Sequence, residues 1–130
     1  MEQAKLDKIL DEHKLWLKTN GEQGKRADLR YANLRYADLH YADLRSADLR
    51  YANLDHSAFP LWCGGLDVHI DDKQATQLLY HLIRNVQYSK NTSKALKKIC
   101  RIKSLVNQAN KFHKVDECGN LKELVGEDNE

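Results

Sequence analysis

The sequence predicts an α+β chain: a short coil of near-identical five-residue units, preceded by one amphipathic helix and followed by two more. Three observations predict it. Ala recurs every five residues from Ala27 to Ala52, with a Leu two positions after each, from Leu29 to Leu54. Before this segment Leu6, Ile9, Leu10, His13, Trp16 and Leu17 recur at helical spacing. After it two stretches show the same spacing, and residues 73–115 hold ten basic side chains and no acidic one.

The first element is a helix of about 16 residues, ended by Asn20 and Gly21. With the loop that follows it makes up residues 1–23. The loop from Asn20 to Gly24 carries two glycines and reads as a hinge. The first residues, Met1 to Lys5, lack the apolar stretch of a secretory signal, and no apolar run reaches the roughly 18 residues of a membrane helix. The expectation is a soluble, cytoplasmic protein with no membrane contact.

The second element is the repeat: ADLRY, ANLRY, ADLHY, ADLRS, ADLRY, ANLDH, then a degraded SAFPL in which Phe59 takes the Leu position. A period of five fits neither the 3.6 of a helix nor the 2 of a flat strand. Within a unit Ala and Leu are two apart, so on an extended backbone both point the same way while the Asp or Asn between them points opposite. A chain that turns a corner after each unit keeps every Ala and Leu inward. The predicted result is a square coil with sides of five residues and about 20 residues per turn.

This A-[DN]-L-x-x pattern resembles the pentapeptide-repeat family, and the resemblance implies a right-handed quadrilateral β-helix over residues 24–62. It implies a core of Ala27, Leu29, Ala32, Leu34, Ala37, Leu39, Ala42, Leu44, Ala47, Leu49, Ala52, Leu54 and Phe59, and outward Arg30, Arg35, His40, Arg45, Arg50 and Asp55. Stacking at twenty residues would set Asp28 over Asp48, Tyr31 over Tyr51 and Tyr36 over His56. Tyr31, Tyr36, Tyr41 and Tyr51 end their units and, with Arg30, Arg35, Arg45 and Arg50, form a candidate interaction surface, since Tyr and Arg are the residues of interface hot spots. The alternative is tyrosines that merely lie flat on neighbouring coils.

The coil is short. Residues 27–59 make about 1.65 turns, a stack about 8 Å tall. So short a stack needs covering at both ends. Either the chain's own helices cover them, or two copies stack end to end as a homodimer, with exchange of the N-terminal helix about the hinge.

Residues 63–126 are expected to be a capping segment, with Leu66, Val68 and Ile70 alternating as a strand, followed by a helical hairpin. Asp71 and Gln74 have the spacing of a capping box, opening a helix over 72–88 with the stripe Ala75, Leu78, Leu79, Leu82 and Val86. A second helix, about 93–112, has Ala95, Ile99, Ile102, Val106 and Ala109 on one side and a basic patch, Lys94, Lys97, Lys98 and Arg101, on another. Residues 127–130 form an acidic tail, Glu127, Asp128 and Glu130 among them.

Cys63, Cys100 and Cys118 are odd in number and widely spaced, which suits reduced, buried thiols better than disulfides. Cys63, His69, His113 and Cys118 lack the tight spacing of a structural zinc site, so no metal is expected. No phosphate loop, metal-binding His-Glu motif or nucleophile elbow is present, and Gly64-Gly65 reads as a turn. No catalytic residue and no cofactor is therefore assigned. The leading expectation is a non-enzymatic, homodimeric interaction scaffold acting on an unnamed protein partner. The alternative is a modulator of a nucleic-acid machine, through the basic helices or by the DNA mimicry towards gyrase known among pentapeptide-repeat proteins. Against mimicry, residues 27–72 carry only eight acids against four arginines.

Overall fold

The computed structural model describes residues 1–122. It comprises two compact units, one of Met1–Asp71 and a second from Asp72 onward. The acidic tail at 127–130 lies outside the described residues.

The first unit opens with α1, Gln3–Lys18. The repeats then wind back over themselves, but the expected quadrilateral β-helix does not form: the described residues contain no β-strand and no sheet, only isolated parallel bridges. The reason is local. In each unit the Ala N–H closes on the preceding Leu carbonyl, as in Ala32 to Leu29 (3.1 Å) and Ala47 to Leu44 (2.9 Å). Tyr31, Tyr36, Ser46, Tyr51 and His56, the last residues of their units, take φ of 61° to 66° at these turns. A left-handed residue at the end of five of the six units leaves too few extended residues for a continuous ladder.

The bridges fall twenty residues apart at Asp28–Asp48, Asn33–Asn53 and Asp38–Ala58, and twenty-one apart at Asp48–His69. The extra residue is taken up by a 3-10 turn at Cys63–Gly65. The expected strand over Leu66, Val68 and Ile70 is also absent. His69 makes a single bridge, Val68 packs on the core and Leu66 is exposed. Leu29, Leu34, Leu39, Leu44 and Leu49 are all fully buried, with Ala27, Ala37, Ala47, Ala52 and Leu54 around them. Ala32, Ala42 and Phe59 are partly buried against the same cluster.

Helix α1 packs Leu6, Ile9 and Leu10 on this core. Its polar side chains meet backbone groups of the first winding as an adjacent strand would. The Gln3 amide donates to the Asp38 carbonyl (3.0 Å) and accepts from the Asp38 N–H (2.9 Å). The Met1 ammonium donates to the Asn33 carbonyl (2.8 Å). Fully buried His13 accepts from the Ala27 N–H at Nδ1 (3.0 Å), which fixes the tautomer, so that Nε2 donates to the Arg45 carbonyl (2.8 Å). The glycine loop is folded tightly back on α1. Gly24 has φ +72°, and a Cβ there would lie 2.3 Å from the Glu12 carbonyl oxygen.

In the second unit, α2 spans Asp72–Tyr88, the bounds expected, but buries a different face. Thr76, Tyr80, Ile83 and Val86 are buried, while Ala75, Leu78 and Leu82 are exposed. Tyr80 decides this. Its ring packs on Phe112 (4.8 Å) and its hydroxyl donates to the Gly119 carbonyl (2.6 Å), burying more surface than a Leu would. The expected second helix and hairpin are replaced by three short helices, α3 (Lys94–Ile99), α4 (Lys103–Ala109) and α5 (Val115–Cys118). The break at Cys100–Ile102 turns Val106 and Ala109 into the core with Cys100, Phe112 and Leu121, and leaves Ala95 and Ile99 outside. Of the thiols, only Cys100 is buried; Cys63 and Cys118 are exposed.

Candidate interaction surface

The outer face of the repeat is built from one device used six times. The second residue of each unit accepts, through Oδ1, the backbone N–H two residues on, from Asp28–Arg30 (3.2 Å) to Asn53–Asp55 (3.0 Å). The short polar side chain thus satisfies a donor that the turn leaves over. Where an Arg follows an Asp, the guanidinium also grips the carboxylate with two nitrogens: Arg30 on Asp28, Arg45 on Asp43 and Arg50 on Asp48. These bonds pull the Asp28 carboxyl down to about 2 and hold Asp43 and Asp48 below the usual carboxylate range. Each carboxylate is spent on its own turn and its own arginine. Asp48 and Asp55 are buried, although the pattern places both outward.

The aromatic residues divide into two groups. Tyr31 stacks on Tyr51 (5.0 Å) and Tyr36 on His56 (4.8 Å), with Arg35 over the Tyr36 ring (5.6 Å). All three tyrosines nonetheless keep more than half their surface in water. Tyr41 has neither the positive φ nor a ring twenty residues ahead, because Leu61 stands there. It is 85% exposed and Leu61 97%.

A groove opens where the repeat is broken. An apolar cavity of about 520 Å³ is lined by His40, Tyr41, Phe59, Leu61 and Trp62. It runs into a second cavity of about 400 Å³ that shares His40, Tyr41 and Trp62 and is bordered by Asp7, Asp11, Asp38 and Asp43, with Lys14 as the basic member. The indole of Trp62 donates to the Ala42 carbonyl (3.1 Å), replacing a missing bridge. Gly64 permits that approach: a Cβ there would lie 2.3 Å from the Trp62 ring and 2.6 Å from the Ala42 oxygen. The groove was legible only as an irregularity, the loss of period at Phe59 to Trp62.

The sequence-defined basic patch is not one surface. Lys97 turns toward α2 and donates its ammonium to the Val86 carbonyl (2.7 Å), the Ser89 carbonyl (2.5 Å) and the Thr92 hydroxyl (2.6 Å). It closes the C-terminus of α2, where orphan carbonyls and the helix dipole favour a cation. Lys94 and Lys98 are exposed on α3, and Arg101 lies beyond its end. Among the described residues no group of three or more His, Cys, Asp or Glu side chains is placed to hold a metal ion. No helix among them is long and apolar enough to cross a membrane.

No curated protein and no solved structure matches this chain. Residues 25–59 match the family model for pentapeptide repeats, in eight copies. The Asx-capped turns, the buried Leu series and the twenty-residue return occur in that same segment, so residues 25–59 of this chain are a segment of pentapeptide repeats.

Proposed function

We propose that the protein is a non-enzymatic interaction scaffold that acts as a homodimer. The observation that carries this reading is the fixed display of exposed aromatic side chains, stacked in pairs on the winding and gathered around the groove at its break. Exposed apolar clusters of this kind are characteristic of binding surfaces, with Tyr, Trp and Arg as their anchors. The non-enzymatic reading draws support from the repeat carboxylates, each engaged in its own turn rather than gathered with a nucleophile or base.

The side chains of α1 meet backbone groups of the first winding, so end-to-end stacking through that edge would have to displace or exchange the helix. Association through the side of the unit leaves α1 in place, and is the mode proposed. The nucleic-acid alternative has less support, since Lys97 of the basic patch is consumed by α2. Sedimentation equilibrium at micromolar concentration tests the proposal: a mass near twice 15.1 kDa is expected. A mass of 15.1 kDa throughout would remove the homodimer.

A further inference from the structure

Helix α3 has its amphipathicity inverted. Its middle lysine faces its own unit, through three short contacts from the Lys97 ammonium to the last turn of α2 and the segment that follows it. At about 100° per residue, Ala95 and Ile99 then lie opposite Lys97 and Leu96 lies beside them. No residue of α3 is buried; Leu96 is 47% and Ile99 51% exposed. Part of the apolar burial open to these two side chains is thus forgone in the single chain. Lys98 borders this exposed apolar face, and the exposed Lys94 lies further round the helix toward Lys97.

The groove of the first unit has the complementary character. Its apolar floor of Tyr41, Phe59, Leu61 and Trp62 opens beside a cavity bordered by four aspartates against one lysine. An apolar slot with an acidic border fits an apolar projection with a basic border, and this chain displays one of each.

We propose that the groove receives the outward face of α3 from a second copy of the chain. This rests on the homodimer reading and names its surface. The contact joins two different surfaces, and a two-fold axis closes it by using it twice. Ile99 and Leu96 enter against Trp62 and Leu61, and Lys98 faces the aspartates of the groove. One short helix covers little area, so even two contacts lie toward the small end of stable interfaces, and the association belongs in the micromolar range.

The test is sedimentation of the full chain from about 1 to 100 μM in low and physiological salt. Leu61→Asp and Ile99→Asp, both at exposed positions, should each weaken dimerisation at least about tenfold with circular dichroism unchanged. Mixing these two variants should restore association, because one groove and one α3 in the mixed pair remain intact; an interface built elsewhere would not complement in this way. Reversal of Asp7 and Asp11 to Lys should weaken association, as should Lys98→Glu, and the three changes together should recover part of it. A dimer indifferent to Leu61→Asp and Ile99→Asp overturns this inference and leaves the homodimer reading intact. A chain monomeric throughout overturns both.

Discussion

At the scale of single residues, the same side-chain type does different work according to the backbone it sits on. Tyr31, Tyr36 and Tyr51 occupy a left-handed conformation that costs a non-glycine residue on the order of 1 kcal/mol. The stacks on Tyr51 and His56 offset part of that cost. Leu34 and Leu61 are equally apolar, yet one is fully buried and the other almost wholly exposed. Leu34→Ala should therefore cost about 2–5 kcal/mol in urea unfolding, while Leu61→Ala should change stability by less than about 0.5 kcal/mol. His13 supplies the pH dependence. Burial is the main cause that lowers its pKa, with the Arg45 hydrogen bond and nearby Asp43 working against it. A histidine whose folded pKa is depressed binds its proton more readily when unfolded. Its contribution is then full above about 6.5 and is lost as the pH falls through the lower folded value. The urea midpoint should fall between pH 7.5 and 5.5, and His13→Gln should flatten that part of the profile.

At the scale of elements, what decides each one is the fate of its unpaired backbone groups. Gln3 mimics a strand with a single amide, so Gln3→Ala should cost about 1 kcal/mol, and Gln3→Glu at least as much, because a carboxylate would then face the Asp38 carbonyl. Lys97 does the same for α2 with an ammonium. Lys97→Met should destabilise the chain by about 1.5–3 kcal/mol, whereas Lys94→Ala should stay within about 0.5 kcal/mol; chemical denaturation of the two variants measures the contrast. The repeat, α1 and the bounds of α2 were legible because each rests on a short-range period. The absence of strands was not, because Ala-Asx-Leu alternation looks extended, while the positive φ that interrupts it falls on Tyr, a residue with no preference for it. The buried face of α2 was obscured because Leu78 and Leu82 outnumber Tyr80 in any count of aliphatic positions, yet only Tyr80 has a ring and a carbonyl to meet. The groove was hidden for a related reason: it is made by the failure of a pattern, which marks a place without specifying a shape.

At the scale of the whole molecule, the two units have separate cores with no buried residue in common. The probes divide in the same way. Trp16 and Trp62, the only tryptophans in the sequence, both lie in Met1–Asp71, while α2 to α5 hold most of the helical residues. Tryptophan fluorescence therefore reports the first unit, and ellipticity at 222 nm is weighted toward the second. If each core is its own cooperative unit, the two signals should unfold with different midpoints and the chain should depart from two-state behaviour. Leu34→Ala should move the fluorescence midpoint by several degrees and the main ellipticity transition far less; Ile83→Ala, in the Tyr80 and Val86 cluster, should do the reverse. Coincident midpoints that shift together in both variants would mean that the two cores fold as one.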